Sequence, residues 1–321
     1  MRAVRPVLIV LAVLCAIAAG VHYVRSPEKE TLGADARAGA PGAFVVLDAG
    51  TTHYEVAGPD TGRVALLVHG FSVPYYIWDS TFSALSGAGY RVIRYDLFGR
   101  GLSDRPRATY DGAFFDAQIS DLLDSLHVSE PVDLFGLSFG GFVVAHYAST
   151  HPQRIRTITM VDPASSRPGT SALFTGPLVG PYLWQVLAVP TMADNQATDF
   201  LHPERFPGWA DRYRAQMRYR GFGRALLRSR NTLAATDFDG LFQSVAATGV
   251  PVLLVWGKQD PTVPLANAEI VRRAIPALEF FPVDSSGHLP HLEQTAAFNA
   301  RMFEFLGAHP RAPAAPSAPR P

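Results

Sequence analysis

The chain of 321 residues carries 28 Lys and Arg against 28 Asp and Glu. Its formal net charge is therefore zero, and no basic face points to nucleic acid. With 48% apolar residues it can build a sizeable core. The single cysteine, Cys15, lies in an N-terminal apolar run and excludes an intramolecular disulfide, a cysteine metal site and a thiol nucleophile.

Arg2 and Arg5 precede an apolar run from Pro6 to about Val24. Positive charge ahead of about 20 apolar residues fits a signal peptide or a membrane anchor over residues 1–25. The remainder is then expected outside the cytoplasm, anchored to the membrane, or secreted or periplasmic if the segment is cleaved. Residues 26–42 are polar and rich in Glu, Ala and Gly, and read as a linker. Residues 43–306 hold the folded domain. The Ala/Pro-rich stretch 307–321 cannot bury a core and is expected to be disordered.

Within the domain, 44–47 and 53–56 read as a hairpin. The run Val64–Val68 is apolar throughout, the pattern of a strand buried on both faces, and it ends at His69-Gly70-Phe71. A helix over 78–85, a strand over 91–95 and a Gly-rich loop, Phe98 to Asp104, follow. Residues 114–126 have helical spacing, with Phe115, Ile119, Leu122, Leu123 and Leu126 on one side. Next comes a strand from Val132 into Gly136-Leu137-Ser138-Phe139-Gly140, then an apolar helix. Strands follow at 155–161, 251–256 and 278–283, with helices after Pro264 and over 295–306. Strands alternating with helices mean a mainly parallel sheet flanked by helices, with ligands beyond the carboxyl ends of the strands. The stretch 165–241 breaks this alternation. It holds several prolines among aromatics and is expected to form an inserted cap.

A serine on a sharp strand-to-helix turn, Ser138, presents its hydroxyl to a pocket, but a hydroxyl is a weak nucleophile without a base. His288, on a turn past the last strand, is the expected base, ahead of His291. Asp260, past the strand 251–256, is the expected orienting carboxylate, with Asp162 as the alternative and Asp284 a remote third. The main-chain amides of Phe71 and Phe139 are the expected oxyanion donors. His69 reads as a structural residue of its loop. Tyr75, Tyr76, Trp78 and Trp184 are candidate substrate contacts, alongside cap residues such as Leu173, Phe174 and Leu178. No cofactor or metal is called for.

The order Ser–Asp–His, the Gly-x-Ser-x-Gly turn, His69-Gly70-Phe71, the run Tyr95 to Asp104 and Gly287-His288-Leu289-Pro290-His291-Leu292-Glu293 together resemble the α/β-hydrolase superfamily over about residues 44–306. The likeness is to its serine branch, with monoacylglycerol-lipase-like esterases and C–C bond hydrolases. It implies an α/β fold with an inserted cap and a small-molecule substrate. A serine nucleophile argues against the epoxide and haloalkane chemistry of the aspartate branch, because serine attack on an sp³ carbon would leave an inert ether. Hydrolysis of carboxylic esters with an apolar acyl or aromatic group is the leading expectation. A C–C hydrolase of dienone acids and a ligand receptor without turnover are the alternatives.

Overall fold

The computed structural model describes residues 4–310 apart from 170, 171, 175 and 178. The expectations for Leu178 and for 311–321 fall outside the described residues. Eight strands form one sheet: β1 (Ala43–Leu47), β2 (Gly50–Ala57), β3 (Val64–Val68), β4 (Arg91–Tyr95), β5 (Val132–Leu137), β6 (Ile155–Val161), β7 (Val252–Gly257) and β8 (Glu279–Val283). Their order is β1-β2-β4-β3-β5-β6-β7-β8. β1 with β2 and β2 with β4 are antiparallel; every other pair is parallel. β3, β5 and β7 are buried along their whole lengths, as apolar strands sandwiched between helices must be. The helices Gly112–Ser125 and Phe139–Thr150 share one core with Leu66, Leu134 and Leu254. The helices Asp79–Gly87 and Thr295–Ala308 cover the opposite face, against Leu67, Phe135 and Leu253.

The chain leaves β3 toward β4 on one side, while β5 pairs on the other. This reversal opens a crevice at the carboxyl ends of β3 and β5, the place where open α/β sheets bind ligands. The loop Gly70-Phe71 and Ser138 both emerge there. Between β6 and β7 lie helices and turns, among them Trp209–Met217 and Phe222–Ala235, and Tyr219 makes an isolated parallel bridge to Glu30.

Val4–Arg25 is one helix. Its segment Pro6–Arg25 has a mean hydropathy of 2.6, and none of it is buried; by length and composition it is able to cross a bilayer. The segment expected as a linker is seated on the insertion. Glu28 accepts from the amides of Gly221 and Gly223 at the start of the Phe222–Ala235 helix. A carboxylate there satisfies unpaired first-turn amides and favours the helix dipole. Arg220 donates its amide to the Glu30 carbonyl at 2.8 Å.

The turn between β5 and the next helix depends on two glycines. A Cβ on Gly140 would lie 2.3 Å from the Val68 carbonyl oxygen, and one on Gly136 would lie 2.5 Å from that of Gly140. Backbone cannot yield as a side chain does. Gly140→Ala is expected to cost about 1–3 kcal/mol as overpacking, read as a fall of several degrees in Tm, with loss of Ser138 reactivity; an unchanged melting curve would contradict the packing.

Candidate active site

Ser138 closes β5 and precedes the Phe139–Thr150 helix with φ 52° and ψ −115°. A left-handed backbone on a serine is strained and persists only where packing dictates it. Its amide donates to the Val161 carbonyl, and its carbonyl accepts from Gly141 and Ala164. The turn is thus pinned to β6 while the side chain faces open space. The amides of Phe71 and Phe139 have no acceptor among the described residues, and both residues line a cavity of about 380 Å³ with Ser138.

The Phe71 loop is held by His69, which is fully buried. Its Nδ1 bonds the Gly70 carbonyl at 2.8 Å, and its Nε2 accepts from the Leu97 amide at 2.9 Å. This pairing requires the neutral tautomer, and burial accordingly pulls its pKa down to about 4.

His288 lies past β8, and its Nδ1 is 2.7 Å from Asp260 Oδ2. Asp260 Oδ1 accepts from the amides of Thr262 and Val263 at 2.8 and 2.9 Å. These bonds fix the carboxylate plane and hence the ring. Burial pulls the His288 imidazole down, but the charge and hydrogen bond of Asp260, with Asp199 adding, outweigh it, and its pKa sits above the ordinary value of 6.5. His288 shares a second cavity, about 270 Å³, with Ser138, Gly70 and Phe71.

Asp162 ends β6 and is fully buried, with φ 43°. One oxygen accepts from the Gly257 amide at 2.8 Å; the other, Oδ2, has no donor among the described residues. Burial, and then the neighbouring Asp260, hold its carboxyl well above the usual carboxylate range. His288 Nδ1 is bonded to Asp260 Oδ2 and not to Asp162, so the geometry favours Asp260 as the carboxylate that orients the ring. Asp162, Asp260 and His288 bring one ligand atom each within 4.8 Å of one another, although His288 Nδ1 and Asp260 Oδ2 are already spent on each other. Asp284 faces outward and pairs with Lys258. His291 is buried against Trp78 and Phe298, bonds the Ile77 carbonyl, and is pushed down to about 3 by burial.

Of the four aromatic candidates for substrate contact, Trp184 lines the cavity of Ser138. Trp78 does not: it is fully buried between Phe135 and His291. Tyr75 and Tyr76 line a separate cavity of about 310 Å³, with His53 and Asp96. These three lie buried in the short turn that follows Pro74, and neither cavity at Ser138 includes them, although their neighbour Ile77 lines the smaller one. A roomier hollow, about 1160 Å³, is an open groove beside Tyr110, His146 and Arg228 that contains none of Ser138, Asp260 or His288.

Two carboxylates escaped the sequence reading as parts of the site. Glu293, nearly fully buried, accepts from the Gly287 amide at 2.7 Å and from the Leu201 and His202 amides at 2.8 and 3.2 Å. It ties the loop of His288 to the insertion. Asp199, in the insertion, accepts the His288 amide on its main-chain carbonyl at 2.8 Å and the Thr262 hydroxyl on its side chain at 2.6 Å. Neither lies in a strand or a Gly-rich turn, so no local pattern marks them; the run ending at Glu293 was the only signal.

A sequence profile described as the alpha/beta hydrolase fold matches residues 64–295. The AB hydrolase superfamily protein YfhM of Bacillus subtilis is 26% identical over 281 residues, 82% of this chain and 96% of that protein. Among solved structures, the enol-lactonase from Burkholderia xenovorans superposes with a TM-score of 0.72 at 20% identity, covering 83% of this chain and all of that one. A meta-cleavage product hydrolase from Pseudomonas fluorescens superposes with a TM-score of 0.69 at 23% identity, covering 83% of this chain and 98% of that one.

Removing the Glu293 carboxylate would leave the buried Gly287 amide and the part-buried Leu201 and His202 amides without this acceptor. Glu293→Ala is expected to cost about 2–4 kcal/mol, measured by urea unfolding, whereas Glu279→Ala on the partly exposed β8 should cost under about 1 kcal/mol. Equal costs would refute the clamp.

Proposed function

This chain belongs to the alpha/beta hydrolase fold family, and from that premise we propose that it is a serine hydrolase of carboxylic esters working through an acyl-enzyme. One observation carries the reading: a strained Ser138, two unspent amides and an imidazole bonded to a carboxylate all border the same crevice. Ser138 Oγ attacks the carbonyl carbon while His288 Nε2 takes its proton. The Phe71 and Phe139 amides receive the oxyanion, and Asp260 stabilises the imidazolium through Nδ1–H. His288 then returns the proton to the leaving oxygen as the acyl C–O bond breaks. Water, deprotonated by the same imidazole, releases the acid and frees the serine. Phe139, Trp184, Leu233 and Val263 line the larger cavity, which suits an apolar acyl group.

C–C bond hydrolysis is the second reading. It is favoured by the meta-cleavage product hydrolase among the neighbours and by Arg167 and Arg230 in the wall of the larger cavity, which would hold a substrate carboxylate. The third, a receptor without turnover, predicts at most one acylation per molecule.

We also propose that Pro6–Arg25 sits in a bilayer with the hydrolase outside the cytoplasm. The length and apolar composition of that helix, none of it buried, support this. Protein expressed with this segment should resist alkaline carbonate extraction from membranes, and a chain starting at residue 26 should not; recovery of both in the soluble fraction would remove the anchor.

On p-nitrophenyl butyrate, Ser138→Ala should lose roughly 10⁴-fold or more in kcat, and Asp260→Asn roughly 10³–10⁴-fold. Asp162→Asn, which replaces a protonated acid with an amide, should stay within about tenfold of wild type. The reverse order at the two aspartates would move the acid to Asp162. Only the neutral imidazole accepts the serine proton, so kcat/KM should rise with pH, with a midpoint above the ordinary histidine value of about 6.5. A flat profile from pH 5 to 8 would remove His288 as the base.

A further inference from the structure

A guanidinium bonded to no carboxylate lies behind the loop that carries the Phe71 amide. Resting on the ester reading, we propose that Arg100 is an electrostatic positioning residue: its buried charge meets a counter-charge only in the oxyanion that forms at the Phe71 and Phe139 amides.

Arg100 belongs to the Gly-rich loop after β4, between Gly99 and Gly101, and it is fully buried. Its Nε donates to the Phe71 carbonyl at 2.8 Å, Nη1 to the Phe98 carbonyl at 3.0 Å and Nη2 to the Ser229 hydroxyl at 2.9 Å. All three acceptors are neutral. The rings of Phe71, Phe115 and Phe139 stand around it, their centroids 5.7, 5.8 and 5.2 Å from the guanidinium carbon. Ring faces attract a cation but carry no net charge. Burial, with Arg105 as a neighbouring like charge, pulls the Arg100 pKa down to about 10, which leaves it charged at neutral pH.

An unpaired charge in the interior is costly to keep. A neutral donor could tie the same two carbonyls and hydroxyl without that cost. Packing alone therefore does not account for a cation at this position.

The reaction supplies the missing partner. When Ser138 Oγ bonds to the carbonyl carbon, one C=O electron pair moves onto the carbonyl oxygen, and His288 takes the serine proton. That oxygen then carries a full negative charge beside Phe71 and Phe139, the two residues that border both Arg100 and the larger cavity. Attraction to the guanidinium is weak for the neutral ester and strong for the intermediate, which is the difference that lowers a barrier. Arg100 lines neither cavity at Ser138, so it acts through its field and through the Phe71 backbone that it holds. The field already registers on this loop: after burial, the Arg100 charge further lowers the pKa of His69.

The test separates charge from packing. Ser229→Asp would give Arg100 a carboxylate partner while leaving its bond to Phe71 in place. Ser229→Asn is of the same size and neutral. Full-length variants in detergent are inhibited with an alkyl trifluoromethyl ketone, whose adduct on serine carries an oxyanion, and with the matching methyl ketone, which stays a ketone. Ser229→Asp should weaken the trifluoromethyl ketone at least about tenfold and leave the methyl ketone within about threefold. Its kcat on p-nitrophenyl butyrate should fall about 10–100-fold, with KM within about threefold of wild type. Ser229→Asn should stay within about threefold throughout. Arg100→Gln should behave as Ser229→Asp does, and Arg100→Lys, which keeps the charge, should bind the trifluoromethyl ketone at least about threefold more tightly than Arg100→Gln. Where melting curves show that one pair does not fold, the other pair decides. Equal affinity for the trifluoromethyl ketone within a folded pair overturns the role of the charge. Arg100 is then a tie between loops, and the esterase reading stands. A wild type that neither binds the trifluoromethyl ketone nor turns over the ester overturns the esterase reading and this role together.

Discussion

The backbone of Gly140 rests against the carbonyls of Val68 and His69 at a distance that excludes even a methyl group. This contact seats the helix after β5 directly over the end of β3. Two consequences follow from one close approach. The chain at Ser138 must turn through a left-handed conformation to enter the helix, and the amide of Phe139 is brought beside the loop that carries the amide of Phe71. The strained turn at Ser138 and the neighbouring amides of Phe71 and Phe139 are therefore a product of packing between two parallel strands and one helix. The strain at a single residue is offset by the burial of β3 and β5 on both faces.

Around that turn the titratable groups are arranged so that few charges share the low-dielectric interior. Burial, and then the charge of Asp260, hold the Asp162 carboxyl well above the usual carboxylate range, and no donor among the described residues answers its second oxygen. His69 stays neutral because one ring nitrogen must accept. Asp260 is supplied with two amides and the imidazole. His288, its pKa held above the ordinary value against the pull of burial, has this partner carboxylate already in place. Similar residue types thus take different roles, and the hydrogen-bond partners decide which.

Much of this was legible in the sequence because it is local. A fully apolar run marks a doubly covered strand, and a Gly-x-Ser-x-Gly turn between such a run and an apolar helix marks a nucleophile elbow. The loops of Asp260 and His288 follow strand ends, which parallel topology gathers on one edge. What failed was inference from neighbourhood. Tyr75, Tyr76 and Trp78 follow the Phe71 loop by only a few residues, yet Trp78 is consumed in the core against Phe135, and Tyr75 packs on His53 and under Arg94. His53 itself is a buried partner of Asp96 at 2.7 Å. That pair spans antiparallel strands far apart in the chain, and no spacing announces it. The polar segment 26–42 looked like a tether because composition reports solubility; the docking of Glu28 on a helix start is a tertiary event.

The least legible feature is also the most consequential for selectivity. The insertion touches the histidine loop through main-chain hydrogen bonds, His288 to Asp199, and through the shared carboxylate of Glu293. A lid joined only by apolar contacts could slide over the crevice with little change in energy. One joined by buried, directional bonds cannot shift by an ångström without stranding charged or polar groups, at a cost of several kcal/mol for the carboxylate. The insertion at Asp199 and the loop of His288 therefore keep one relative position. On the proposed mechanism, a change in the insertion would reach the imidazole through the same bonds that shape the pocket wall.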